Sequence, residues 1–189
     1  MGKEVDYKVF VRHLAETNDP RTFLNSDENH ALDVFLSLFQ TAKESVRIFA
    51  GCLCKHVGNN ISYVIALSEF VERGGKLFIL LNDYDEEAAK NSSLYKRLAY
   101  YASKKMPVCV KKTTARPYFT SDPEKRPFHF TVADDKAYRL EVDIEQRAAE
   151  CSFNNPMMAA ALAEYFDKVF AKEDSSLIDL VALFENGNN

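Results

Sequence analysis

The stretch "ERGGKLFILLND", residues 72–83, decides the class of fold. Gly74 and Gly75 suit the left-handed end of a helix, and they follow a segment predicted to be helical over 60–73. The apolar run "KLFILL", 76–81, comes directly after them. An uninterrupted apolar run is typical of a central parallel strand that is covered on both faces. A helix leading straight into such a strand indicates an α/β sheet.

The same alternation extends to either side of this stretch. Apolar residues at i, i+3, i+4 and i+7 begin at Leu32 and predict a helix. The further predicted elements are helices 28–43 and 85–104, and strands 45–51 and 107–113. Residues 5–15 are ambiguous between strand and helix, and we expect an initial strand. Repeated helix–strand units predict right-handed crossovers within one sheet.

The second half of the chain changes character. Residues 126–143 contain two strand-like runs around Asp134-Asp135-Lys136, which predicts a hairpin. A third short strand is predicted near 148–153, then a helix with Pro156 in its first turn, and a last helix over 176–185. We therefore expect an α/β sandwich with a mixed sheet and helices on both faces. The single domain would span 1–189, with its core at about 28–172 and a C-terminal helix and tail at 173–189.

Composition excludes several classes of protein. Apolar residues make up 47% and charged residues 28% of the 189 residues, which is ordinary for a globular protein. The net charge of −4 argues against a surface that coats polyanions generally. No apolar run approaches the roughly 18 residues of a membrane span, and the N-terminus lacks a secretory apolar segment. We therefore expect no membrane insertion. The four cysteines lie mostly inside apolar runs, which favours reduced thiols and a cytoplasmic protein.

A histidine and a carboxylate stand at matching places in the predicted hairpin. Strand alternation puts His129 and Thr131 on one face of the first strand, and Arg139 and Glu141 on one face of the second. Glu141 could orient His129 from the neighbouring strand, or be a solvated strand residue. A nucleophile, a group that orients it and a positive charge are the parts that phosphoryl chemistry needs.

Two polar residues precede the helix that starts near Pro156. Ser152 and Asn154 could seat an anion beside the exposed N–H groups of the helix start, or be an ordinary turn and cap.

Upstream, five cations fall within 16 residues and are interrupted by two aromatic residues. They are Lys111, Lys112, Arg116, Lys125 and Arg126, with Tyr118 and Phe119 between them. Such a loop could track phosphates with stacking residues, or simply balance nearby acids.

The sequence "CLCKH" places Cys52, Cys54 and His56 on one face if it is a strand. A zinc site needs a fourth ligand, and no second cluster of suitable spacing exists in the sequence. We expect no metal and no cofactor.

The segment from His129 to the helix at Pro156 resembles the signature of the phospholipase D superfamily. That signature is HxKxxxxD followed by GSxN and a helix. His129 matches the histidine, and Ser152 and Asn154 match the SxN within "CSFN". The segment "AKESVRIFAG" and the stretch at 72–83 are similar to that family's first strand and "RGVxVxIL" strand, so the resemblance covers roughly 30–172.

The resemblance implies a metal-independent mechanism. The histidine attacks phosphorus, a second copy of the motif supplies the acid, the lysine binds phosphate and the aspartate orients the histidine. With one motif copy per chain, it implies a homodimer.

The chain departs from the signature at three places. Thr131 occupies the lysine position, Lys136 the aspartate position and Cys151 the first glycine. The lost positive charge could come from Arg126, Lys111, Lys112, Arg116 or Arg139.

Two hypotheses follow from the resemblance and its departures. The first is a non-catalytic or weakly catalytic phospholipase D-like module that binds a phosphate-bearing ligand, such as nucleic acid or a nucleotide, or a protein partner. The second is a metal-independent phosphodiesterase or nuclease that uses His129 as nucleophile in a homodimer.

Overall fold

The computed structural model describes residues 6–54, 56–144 and 148–185. The helices are α1 (Tyr7–Glu16), α2 (Glu28–Thr41), α3 (Ile61–Glu72), α4 (Glu86–Lys90), α5 (Ser93–Ser103), α6 (Pro156–Phe170) and α7 (Ala182–Glu185). The strands are β1 (Phe23–Asn25), β2 (Ser45–Ala50), β3 (Lys76–Leu81), β4 (Val108–Lys112), β5 (His129–Ala133), β6 (Ala137–Asp143), β7 (Ala148–Ser152) and β8 (Ser176–Leu177). A short 3-10 helix, His56–Asn59, precedes α3.

All of these strands form one mixed sheet in the order β1-β7-β6-β5-β2-β3-β4-β8. The strands β2, β3 and β4 are parallel, as the apolar run at 76–81 predicted. The strands β5, β6, β7 and β1 continue the sheet in antiparallel fashion, so the predicted hairpin is confirmed.

Helices cover both faces of this sheet, as predicted. One apolar core lies between the sheet and α1, α2, α3 and α5, and contains Leu38, Leu67 and Leu98. A second core lies between the other face and α6, and contains Phe130 and Phe166. Strand alternation divides β5 between the two cores, because successive side chains point to opposite faces.

The expected initial strand is wrong, because residues 7–16 form helix α1. Asp6 caps this helix by accepting a hydrogen bond from the Lys8 backbone N–H. The buried residues are Val11, Leu14 and Ala15, a spacing of three and four that matches a helix and not a strand.

Two further boundaries differ from the prediction. The expected helix 85–104 is divided into α4 and α5, because the Asn59 side chain accepts hydrogen bonds from Ser92 and Ser93 at the break. The expected helix 176–185 begins instead as strand β8, which pairs with β4 at the sheet edge.

The β5–β6 turn is fastened to the start of β2. The Asp134 carboxylate accepts hydrogen bonds from the backbone N–H groups of Lys43 (2.7 Å), Glu44 (2.8 Å) and Ser45 (3.1 Å). Asp134 also has a left-handed backbone, with φ 51°. It therefore anchors the hairpin at the end of β5 that lies away from His129.

Candidate functional site

The candidate site is a cavity of about 370 Å³ at the carboxyl ends of β2 and β3, where β5 begins and β6 ends. Ligands of open α/β sheets commonly bind at the carboxyl ends of the strands. The polar and aromatic side chains of its wall include those of Phe35, Cys52, Tyr63, Asp83, Asp85, His129, Thr131, Arg139 and Glu141.

His129 and Glu141 lie directly opposite each other on the antiparallel strands β5 and β6. The Nδ1 atom of His129 is 3.6 Å from Oε2 of Glu141, and these side chains are 14% and 5% exposed. This separation is longer than a good hydrogen bond, so the contact is mainly electrostatic. The imidazole also lies against Gly51, where an added Cβ would be 3.5 Å from its Cε1 atom. The structure thus brings together the two residues predicted as a catalytic pair.

Arg139 is the buried cation of the cavity, with a side chain that is 4% exposed. Its Nη2 atom is 3.2 Å from Oε1 of Glu141, and its Nε donates to Oδ1 of Asn25 at 3.0 Å. Its guanidinium carbon lies 5.1 Å from the centre of the Phe35 ring. These contacts hold the guanidinium in place, and the Glu141 carboxylate offsets its charge.

Thr131 occupies the place of the signature lysine and is 2% exposed. It faces Arg139 across the β5–β6 ladder. The buried positive charge of this site therefore comes from the neighbouring strand, and it is already paired with a carboxylate.

Ser152 and Asn154 are not brought to His129. Ser152 lies opposite Tyr138, whose side chain packs on the α6 face, whereas His129 faces the α2 and α3 side. The Ser152 hydroxyl donates to the Pro20 carbonyl at 3.4 Å. The Asn154 side chain donates to the carbonyl of Asn18 at 3.1 Å, so the pair fastens the 18–20 turn to the sheet.

The other predicted phosphate-binding cations lie outside the cavity wall. The Lys111 ammonium donates to the carbonyl of Phe170 at 2.7 Å, at the C-terminal end of α6. Lys112 is exposed at the end of β4. Arg126 is exposed and pairs with Asp122, with 3.0 Å between Nε and Oδ2.

Sequence reasoning missed Tyr63, which lines the cavity from α3 and is fully buried. Among the described residues its hydroxyl has no hydrogen-bond partner, and burial raises its pKa above the ordinary tyrosine value. A tyrosine within an apolar helix is indistinguishable from core in the sequence. Asp83 carried a better signal, because it lies two residues after the end of a buried parallel strand.

The cavity carries more negative than positive charge when His129 is neutral. Asp83, Asp85 and Glu141 contribute carboxylates, and Arg139 contributes the one cation among its described wall residues. This balance disfavours a phosphate deep in the cavity, since like charges repel strongly where water is scarce.

The cysteines of "CLCKH" do not lie on a strand, because β2 ends at Ala50. Leu53 has a left-handed backbone with φ 55°, so the chain bends there and does not continue as a strand, and the His56 side chain lies outside the described part of the structure. Within the described ranges there is no group of three or more His, Cys, Asp or Glu side chains suited to hold a metal ion. Nor does any helix in those ranges have the length and apolar character to cross a membrane.

Solved structures with the same architecture include two proteins of the chain's own size class. Nuc from Salmonella typhimurium, a phospholipase D family member, has a TM-score of 0.54 at 14% identity, over 84% of this chain and 99% of that one. NucT from Helicobacter pylori has a TM-score of 0.54 at 17% identity, with the same coverage of 84% and 99%. The chain has a phospholipase D-like fold.

The structure of an archaeal chromatin protein matches a larger share of the chain. TrmBL2, whose structure shows a novel mode of DNA binding, has a TM-score of 0.64 at 13% identity and covers 94% of the chain. The chain spans 57% of TrmBL2. Neither a known protein family nor a curated protein matches the sequence itself. The resemblance seen in the sequence is thus confirmed at the level of fold.

Proposed function

We propose that the chain is a non-catalytic phospholipase D-like module that binds nucleic acid. The proposal that the module is not catalytic rests on two neighbouring residues, Thr131 and Arg139. An uncharged, buried threonine stands at the lysine position, and the neighbouring guanidinium is offset by Glu141 at 3.2 Å. A charge-assisted contact to phosphate is about twice as strong as a neutral one, so the transition state would lose its main stabilising contact.

Nucleic acid would bind along the loop that joins β4 to β5. Three cations of this loop are exposed, Arg116, Lys125 and Arg126, and Lys112 is exposed at the end of β4. Tyr118 and Phe119 are 43% and 38% exposed, which suits stacking on bases. Phe119 stacks on Phe128 with ring centres 4.6 Å apart, which fastens this part of the loop to the core on the α6 face. The DNA binding of TrmBL2 supports this choice of ligand over a protein partner.

Binding can be tested with labelled single- and double-stranded DNA and RNA by fluorescence anisotropy at several salt concentrations. The double variant Arg116→Gln, Lys125→Gln should weaken binding to all sequences and reduce the salt slope by about one per lost phosphate contact. Lys168→Gln is the matched control, because Lys168 is 70% exposed on α6 and pairs with Glu164. Equal affinities for the double variant and the wild type would contradict the loop as the binding surface.

The alternative function is a metal-independent phosphodiesterase, and the observation that favours it is the His129–Glu141 pair. Cleavage of DNA, RNA and bis-p-nitrophenyl phosphate is measured with excess chelator, for the wild type and His129→Ala. Activity that survives chelation and disappears in the variant would establish the enzyme. Nucleic-acid binding without cleavage would support the binding module.

We also propose a homodimer, in which two single-motif chains pair across a twofold axis. Analytical ultracentrifugation at micromolar concentration tests it. A monomer there would count against the enzyme, whose second histidine has to come from the partner copy.

A further inference from the structure

Cys52, a residue of the cavity wall, lies beside Cys54, and the structure pairs the two as a disulfide. The Cα atoms of Cys52 and Cys54 are 5.2 Å apart, within the range of about 4.4–6.8 Å that a disulfide bond requires. In an extended strand, residues two apart would be separated by about 6.6 Å, at the upper limit of that range. The left-handed backbone of Leu53, with φ 55°, shortens the separation. A left-handed leucine is unfavourable, and conformations of this kind cluster at functional sites.

The surrounding residues hold this turn in place. A Cβ at Gly58 would lie 2.5 Å from the Leu53 carbonyl oxygen, so a glycine is needed where the 3-10 helix packs on the turn. The Tyr95 hydroxyl donates to the Cys52 carbonyl at 2.6 Å. The backbone N–H of Cys54 donates to the Cys52 sulfur at 3.0 Å. The proximity of the two thiols is therefore built into the local structure.

We propose that Cys52 and Cys54 are a reversible dithiol–disulfide site that responds to low-molecular-weight disulfides such as oxidised glutathione. The two cysteines differ in solvent exposure, as expected when one thiol attacks the oxidant and the other resolves the mixed disulfide. Cys52 is half-buried and lines the cavity, whereas Cys54 is 7% exposed. Burial, together with the hydrogen bond from Cys52, raises the pKa of Cys54 to about 12. Cys52 is thus the thiol that meets the oxidant, and Cys54 is the resolving thiol.

The exchange balances without any other reactant. The Cys52 thiolate attacks one sulfur of oxidised glutathione, forms a mixed disulfide and releases a glutathione thiolate. That thiolate takes up the Cys52 proton from the solvent. Cys54 then loses its proton and attacks the Cys52 sulfur, and the second glutathione leaves as a thiol. Two cysteine thiols are oxidised by two electrons, and one glutathione disulfide is reduced to two thiols.

The position of the site connects it to His129. Gly51, the residue before Cys52, contacts the imidazole, with the Cβ position 3.5 Å from Cε1. The Cys54 sulfur lies 3.9 Å from the carbonyl of Asp85, which is also a residue of the cavity wall. A change between the disulfide and the dithiol would therefore alter the segment that flanks the cavity.

The test is a thiol titration, which needs no nucleic acid and is therefore independent of the proposed function. Reduced protein is equilibrated without oxygen in glutathione buffers of increasing oxidised fraction, quenched with acid, alkylated with N-ethylmaleimide and analysed by intact and peptide mass. We expect the labels on Cys52 and Cys54 to disappear together, with a midpoint that does not change with protein concentration. In Cys54→Ser a mixed glutathione disulfide should accumulate at Cys52 instead. The control Cys109→Ser, a half-buried thiol on β4, should titrate like the wild type.

The wild-type titration decides the proposal even if a variant fails to fold. Full alkylation of Cys52 and Cys54 in oxidised glutathione alone would overturn it. So would a disulfide that joins two chains or that involves Cys109 or Cys151. As a second readout, the rate at which diethyl pyrocarbonate modifies His129 should differ between the reduced and oxidised forms.

Discussion

Removal of the Glu141 carboxylate is the sharpest perturbation of the buried network. In Glu141→Ala the guanidinium of Arg139 would stay buried without its carboxylate, since the two side chains are 4% and 5% exposed. Breaking a buried ion pair by removing one partner costs about 3–5 kcal/mol. Because Arg139 keeps its hydrogen bond to Asn25 at 3.0 Å, we expect a loss at the lower end, about 3 kcal/mol. For a protein of 189 residues this corresponds to a fall in Tm of about 6–12 °C.

The measurement is urea unfolding followed by circular dichroism, arranged as a double-mutant cycle. Glu141→Ala is measured first, and the cycle then uses Glu141→Leu, Arg139→Met and their combination. Replacing both members of a buried pair by apolar residues is often nearly neutral, so the double variant should recover most of the loss. Glu164→Ala is the matched control, because its partner Lys168 and Glu164 itself are 70% and 68% exposed, and it should change stability little.

A loss below about 1 kcal/mol in Glu141→Ala would refute this reasoning. That value is typical of a pair screened by water, and it would mean that Arg139 reaches solvent through the cavity. Additive losses in the double variant would likewise show that the two residues act independently.

Three further predictions concern single side chains. Asp134→Ala should lower the free energy of unfolding by about 2 kcal/mol, because three backbone N–H groups lose their acceptor, and Asp134→Asn should lower it less; urea unfolding checks both. Tyr63→Phe should not destabilise the protein, since the lost hydroxyl has no partner among the described residues, and a loss above about 1 kcal/mol in the same assay would reveal one. The Asp19 carboxyl should titrate near pH 2, below its ordinary 3.8, because Arg21 donates hydrogen bonds to it. Since its folded pKa is the lower one, its contribution to stability is present above about pH 4 and is lost as the pH falls towards 2; Arg21→Gln should return the pKa towards 3.8 by NMR titration.

Much of the fold could be predicted because the rules that govern it are local. The apolar run at 76–81 has no alternation, and only a strand covered on both faces accommodates it. The helix over 28–41 follows from apolar spacing alone. The errors occurred where the local signal was short or mixed. In α1 a valine-rich segment resembles a strand, although its buried residues have helical spacing.

The candidate site, like the fold, could be predicted from the sequence only in part. The pairing of His129 with Glu141 could be predicted from strand alternation and the position of the hairpin turn, which lies only a few residues away. The location of the Ser152 side chain could not be predicted, because its hydrogen-bond acceptor is the Pro20 carbonyl, 132 residues earlier in the chain. An SxN motif before a helix has the same sequence whichever face of the sheet it occupies.

The sequence by itself determined the alternation of helices and strands between α2 and β4, the parallel centre of the sheet, and the hairpin that carries His129 on one strand and Glu141 on the next. Each of these depends on periodicity and on neighbours within a few positions. Only the tertiary structure decided that Arg139 is held by Asn25, 114 residues away, and that Tyr63 of α3 reaches the same cavity. Such contacts are set by the packing of the whole sheet against its helices, and whether a buried charge is free to bind phosphate depends on them.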